Sequence, residues 1–344
     1  MPGGKGLHES RLPAGSSAGW IRWLLLVVLF LLVLATIVYV AIERSCQRTD
    51  RQRFVDLHGE LTRSEESLLE ETADGHQILK VILEDDHELQ VTGHLRVPSG
   101  GAERYPALLL LGGVRTGRHS LDYIPPTQNV ILLALDYPYD GKKSGLSVVE
   151  FATALPAMRR AIIRTVPAGM LAVDYLLARP DVDPDRIVLV AGSVGALFAP
   201  AVAATDSRIA AVVLLFGGGD IQSLLNHIAR EDLAWFTRPG AWLGKALTCP
   251  VEPLHHIGAI SPRPIFMLNG TEDLGIPEHN TRLLFEAANE PKTLRWIDAG
   301  HVVLSDERFH QQVTQELVDW LIEQELVRPG LQITKVGWVR QTSQ

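Results

Sequence analysis

Six short apolar runs, each closed by turn residues, dominate the chain from Ala107 onward: ALLLLGG (107–113), NVILLALDY (129–137), RIVLVAG (186–192), IAAVVLLFGG (209–218), RPIFMLNG (263–270) and KTLRWIDAG (292–300). They are near-continuously apolar rather than alternating, which marks strands covered on both faces, the condition of a parallel sheet packed between helices. Between and after them, AGMLAVDYLLARP (168–180), NTRLLFEAANE (280–290) and FHQQVTQELVDWLIEQELV (309–327) place apolar residues at helical spacing. Ahead of them, ILKVILEDD and HELQVTGHLRVP, joined at Asp85, Asp86 and His87, read as an antiparallel hairpin. Repeated strand-helix alternation predicts an α/β architecture, a mostly parallel central sheet with helices on both faces.

A second feature adds a membrane. WLLLVVLFLLVLATIVYVAI, Trp23 to Ile42, runs twenty residues without a charge. At about 1.5 Å per residue a helix of that length crosses a hydrocarbon core of about 30 Å, so an N-terminal transmembrane helix is expected. Trp20, Trp23 and Tyr39 stand where interfacial aromatics belong, and Arg22 and Arg44 bracket the span. A cleaved signal peptide has a shorter apolar core, about 7 to 15 residues, followed by a small-x-small site; ERSCQRTD contains no such site. The basic flanks nearly balance, with Lys5, Arg11 and Arg22 before the span and Arg44, Arg48, Arg51 and Arg53 after it. Retention of a short basic tail predicts a cytoplasmic N-terminus and an exported body. The expected organisation is a disordered tail (1–19), an anchor (20–42), a stalk or surface helix containing RSEESLLEETADG (43–75), a folded domain (76–327) and a second tail (328–344).

Composition excludes some partners. With 46% of 344 residues apolar, the chain can bury a large core. Up to Arg53 there are seven Lys and Arg against three Asp and Glu, so of the net charge of −8 the remainder carries −12. So acidic a body repels phosphates and argues against a nucleic-acid partner. Two cysteines, Cys46 and Cys249, suggest neither a disulfide framework nor a thiolate metal site.

Ligands of open α/β sheets bind beyond the carboxyl ends of the strands, which singles out Gly112 to His119, Asp136 to Ser144, Ser193, Asp220, Asp273 and His301. Ser193 follows a strand and precedes an Ala/Leu-rich helical segment, with Ala191 two residues before it and Gly195 two after. Small-x-Ser-x-Gly is the pattern of a nucleophile elbow; taken alone it fits a tight turn better, since Ser and Gly are common turn residues. A serine nucleophile needs a base, and the base a carboxylate to orient it. Asp273 lies 80 residues beyond Ser193 and His301 lies 28 further, each after a predicted strand. Asp220, after FGGG, is the alternative acid.

With these segments in order, the chain resembles the α/β-hydrolase family over roughly residues 76 to 327. RPDVDPDRIVLVAGSVGA is similar to the elbow segment of its dienelactone-hydrolase-like and prolyl-oligopeptidase-like branches, ISPRPIFMLNGTEDLGIP to their acid-bearing strand and loop, and AGH to the histidine loop. The resemblance implies Ser193 as nucleophile, Asp273 as acid and His301 as base. The oxyanion donors would be the N–H of Val194 and that of Gly113 or Val114 in LLLLGGVRTG. The family usually carries His-Gly where this chain has Leu111-Gly112.

Arg115, Arg118 and His119 on that loop read as a solvated face, with an anion-binding role as the alternative. Residues 221–251, with LAWFTRPGAWLGKAL, are expected to form a small cap whose aromatics line an apolar pocket or join the core. His255 and His256 lack ligand spacing, and the glycines at 217–219 are not followed by the Lys-Ser/Thr of a phosphate loop. The expected protein is a membrane-anchored serine hydrolase that cleaves small-molecule carboxylic esters through an acyl-enzyme, with neither a metal nor an organic cofactor. A peptidase or thioesterase on the same fold is one alternative. A non-catalytic, membrane-tethered binding protein is the other, and Leu111-Gly112 is its support.

Overall fold

In a computed structural model the described residues are 17–46, 51–73, 75–98, 104–113, 116–125, 129–142, 145–229, 237–301 and 306–327. The chain divides into two compact units, Met1–Arg48 and Thr49–Gln344. The first contains helix α1 (Ser17–Cys46). Within its stretch Trp20–Arg44 an 18-residue window reaches a mean hydropathy of 3.2, and the stretch is long and apolar enough to cross a membrane. Most of the expected tail at 1–19 and all of that at 328–344 lie outside the described residues.

The second unit opens with α2 (Gln52–Leu57) and three strands, β1 (Leu61–Glu71), β2 (Gln77–Asp85) and β3 (Gln90–Val97). There follow β4 (Tyr105–Leu111), β5 (Ile131–Leu135), α3 (Val148–Ala178), β6 (Val182–Gly192) and α4 (Val194–Thr205). Next come β7 (Ala211–Leu215), α5 (Ile221–Ala229), α6 (Thr237–Thr248) and the short α7 (Pro253–His256). The unit ends with β8 (Ile265–Gly270), α8 (Glu278–Ala287), β9 (Lys292–Ile297) and α9 (Glu307–Glu323). Among the described residues, nine strands form one sheet in the order β1-β2-β3-β5-β4-β6-β7-β8-β9. The first three pair antiparallel, as does β3 with β5, and every later pairing is parallel.

Each apolar run named from the sequence overlaps one of the strands β4 to β9, though β4 starts earlier, at Tyr105, and β6 at Val182. Their apolarity on both faces has the expected cause. Successive strand residues point to opposite sides: Leu109 and Leu111 of β4 pack in one cluster with Leu171 of α3 and Val202 of α4. Leu108 and Leu110 pack in the other, with Trp320 and Leu321 of α9. The predicted hairpin is β2 and β3, in register from Gln77↔Val97 to Glu84↔Gln90.

Two expectations are corrected. Much of the segment read as a stalk or surface helix, RSEESLLEETADG, is β1, so the sheet begins at Leu61 rather than near His76. As an exposed edge strand β1 has no buried face to impose alternation, and its glutamates suit an edge that must not pair further. Glu66 ties it inward by accepting from the Tyr175 hydroxyl and the Arg179 guanidinium, both at 2.6 Å. The helix expected at 168–180 is the second half of α3, which begins at Val148 despite Pro156 and Pro167. Its start is a capping box, in which the Glu150 N–H donates to Ser147 Oγ (3.3 Å) and the Ser147 N–H to Glu150 Oε2 (2.7 Å).

Candidate active site

Ser193 occupies the one-residue turn between β6 and α4, at φ 53° and ψ −116°. That left-handed backbone is uncommon for a residue with a side chain and stores strain of about 1–3 kcal/mol. It is held by the Ser193 N–H, which donates to the Leu215 carbonyl at 2.9 Å. Glycine at 195 has a steric cause: a Cβ there would lie 1.9 Å from the Leu111 carbonyl oxygen, so the first turn of α4 reaches the end of β4 only without a side chain.

The ends of β8 and β9 deliver the other two residues. The Ser193 hydroxyl lies 3.0 Å from His301 Nε2 and donates to it when Nδ1 carries the ring proton. Nδ1 in turn lies 2.9 Å from each Asp273 oxygen. The Asp273 side chain is 1% exposed and that of His301 33%, so the carboxylate is shielded while the imidazole reaches solvent. Asp273 Oδ1 also accepts from the N–H groups of Gly275 and Ile276, both at 2.8 Å. A Cβ on Gly275 would stand 3.0 Å from the imidazole. Phe216 presents an edge-on contact to that ring, with centroids 6.1 Å apart.

Val194 opens α4, so its N–H has no acceptor within the helix. Of the two donors expected on the loop after β4, Val114 lies outside the described residues and Gly113 within them. The Gly113 carbonyl is engaged by the N–H groups of Thr116 and Gly117 and by the Thr116 hydroxyl, each at 3.1 Å. The Gly112 carbonyl accepts from the Tyr137 hydroxyl. Burial pushes the Tyr137 phenol well above its ordinary value, which keeps it a donor. Sequence reasoning did not single out Tyr137; its position two residues past β5, inside the stretch 136–144, was the available signal.

No family model matches the chain. The uncharacterized protein YfhR of Escherichia coli K12 is 27% identical over 167 residues, 45% of this chain and 54% of that protein. The chain thus spans about half the length of the curated relatives it matches. Among solved structures, an acetyl xylan esterase from Paenibacillus sp. R4 superposes with a TM-score of 0.62 at 18% identity, over 78% of this chain and 92% of that one. Acetyl xylan esterase 1 from Thermoanaerobacterium sp. JW/SL YS485 follows at 0.56 and 13% identity, over 78% and 92%. With the sheet order, these likenesses decide the architecture. The chain has the α/β-hydrolase fold.

On this α/β-hydrolase sheet the remaining candidates separate. Asp220, the alternative acid, accepts from the Ser223 N–H at 3.1 Å and so caps α5, while Asp273 is the carboxylate at His301. Arg118 donates to Asp136 Oδ2 at 2.6 Å, and Asp136 Oδ1 accepts the Arg118 N–H at 2.9 Å, so this arginine fastens its own loop. His119 packs edge-on against His94 at 5.1 Å, and Arg115 lies outside the described residues. Leu111 is buried in the core; the loop after it is held by the Tyr137 hydroxyl at the Gly112 carbonyl instead. His256 is buried, donates to the Pro250 carbonyl at 2.8 Å, and is pushed down to about 4 by desolvation. Among the described residues no group of three or more His, Cys, Asp or Glu could hold a metal ion. Of the expected cap, α5 and α6 are described; the aromatics Trp235 and Phe236 lie outside the described residues, and Trp242 is half-buried on α6.

Proposed function

We propose that the protein is a membrane-anchored serine hydrolase that cleaves small-molecule carboxylic esters, with Ser193 as nucleophile, His301 as base and Asp273 as its orienting acid. The observation that carries this reading is the unbroken hydrogen-bonded series Ser193 Oγ, His301 Nε2, His301 Nδ1, Asp273 at 3.0 and 2.9 Å, with the hydroxyl on a strained turn ahead of a helix. Its fold is shared with solved proteins described as acetyl xylan esterases, which favours esters among the acyl substrates.

In the proposed reaction Ser193 Oγ bonds to the acyl carbon as its proton passes to His301 Nε2, and the carbonyl π pair moves onto oxygen. The N–H of Val194, with that of Gly113 or Val114, holds the oxyanion. Collapse breaks the carbon–alkoxy bond, and the leaving alcohol takes the proton from His301. Water then attacks the acyl-enzyme, giving its proton to His301, and release of the acid returns that proton to Ser193. Asp273 stabilises the imidazolium throughout. No step draws on a metal or organic cofactor.

In this reading α1 anchors the hydrolase to a bilayer, with the body on the extracytoplasmic side. Fluorophosphonate labelling of the full chain in detergent micelles tests the chemistry. Labelling of the wild type that vanishes in Ser193→Ala is expected; no labelling of folded wild type would point to the binding-protein alternative. Hydrolysis rates on p-nitrophenyl esters, thioesters and peptide amides separate esterase from thioesterase and peptidase. Protease accessibility of the body in right-side-out vesicles tests the orientation.

A further inference from the structure

Beyond the end of β7, α5 and the start of α8 border an open pocket of about 350 Å³, at the lower end of the range for small-molecule sites. Its lining is polar. Gln222 and Asn226 face it from one side of α5, one helical turn apart, with His227 beside them. Asp220 contributes from just ahead of α5, Pro277 from just ahead of α8 and His279 from the first turn of α8, and among the described lining residues Pro277 is the one apolar side chain.

That lining selects a ligand class. Each amide offers a carbonyl acceptor and two N–H donors, the complement of hydroxyl groups that both donate and accept. The His227 Nε2–H donates to the Leu274 carbonyl at 2.9 Å, which leaves Nδ1 as an acceptor. Neither Lys nor Arg lines the cavity among the described residues, and Asp220 opposes an anion. An acyl chain would meet a mostly polar wall.

The walls are fixed without a ligand. Glu252, beyond the far end of the cap, accepts the N–H groups of Asp220 and Ile221, each at 2.9 Å, and so joins the two ends of that insertion. Asn280 is buried and donates to the Gly219 carbonyl at 2.8 Å. By contrast, the Gln222 and Asn226 amides have no hydrogen-bond partner among the described residues. Their donors and acceptors are left for a ligand, on a helix whose first turn is held by Glu252 and Asp220.

We propose that this cavity is a binding site for a neutral polyhydroxylated molecule of saccharide or polyol type. The site stands independently of the chemistry proposed for Ser193, because binding there requires no turnover. The test uses the full chain in detergent micelles with xylobiose, cellobiose, trehalose and glycerol as probes, and inorganic phosphate and hexanoate as controls. Saturation-transfer NMR is expected to detect a probe from the first group, and its titration is expected to shift the His227 and His279 ring signals of the wild type. In the Gln222→Ala/Asn226→Ala double variant, checked for folding by its melting curve, affinity is expected to fall about tenfold. The proposal is overturned if none of the four binds, if binding leaves both histidine signals unmoved, if the folded double variant binds equally well, or if phosphate or hexanoate perturbs those signals instead.

Discussion

His301 Nδ1 lies 2.9 Å from both oxygens of Asp273, and one of those oxygens already accepts two backbone N–H groups. The acid loop therefore sets the carboxylate first, and the carboxylate sets the imidazole. A carboxylate so placed fixes the ring proton on Nδ1 and leaves Nε2 as the acceptor for the Ser193 hydroxyl at 3.0 Å.

Asp273→Asn should keep the loop, since the amide oxygen can still accept from Gly275 and Ile276. The amide nitrogen favours the other imidazole tautomer. A fall in kcat on p-nitrophenyl acetate of about 10⁴-fold with little change in KM is expected. Retained activity would move the acid elsewhere.

Gly195→Ala places a methyl group 1.9 Å from a backbone carbonyl that cannot rotate away. A stability loss of about 1–3 kcal/mol is expected from chemical denaturation, together with lost activity as α4 is pushed from Ser193. The control Gly192→Ala, where a Cβ meets nothing within 4 Å, should be far milder.

Tyr137→Phe removes the hydroxyl that donates to the Gly112 carbonyl. Loss of that partner should cost about 1–3 kcal/mol of stability. If the loop presents an oxyanion donor, kcat should fall about tenfold or more while KM holds. An unchanged kcat would remove the loop from the proposed oxyanion site.

His256 supplies a pH test. Its folded value, pushed down to about 4, lies below the ordinary 6.5, so the folded state favours the neutral ring. Its contribution is present above pH 6.5 and is lost as pH falls from there toward 4, by up to about 3 kcal/mol. Denaturation midpoints across that window should flatten in His256→Gln relative to wild type.

The sequence was most legible where burial on two faces demanded apolarity. The runs holding β4 to β9 had no other way to be covered, and the residues after them formed a short list that contained Ser193, Asp273 and His301. It was least legible at β1, an exposed strand whose pairing with β2 depends on a free sheet edge rather than on its own pattern. The first half of α3 was hidden by Pro156; it is largely exposed, so no buried face marks it, and the capping box at Ser147 sets its start.

By itself the sequence determined the α/β class, the hydrophobic N-terminal span and the order Ser, Asp, His, because these follow from periodicity, length and chain position. Tertiary structure alone decided that Asp273 rather than Asp220 meets His301, that Gly195 is demanded by the Leu111 carbonyl, and that Tyr137 holds the Gly112 loop. Each of these is a contact between segments far apart in sequence, brought together by the crossovers of a parallel sheet, and no local pattern records such a distance.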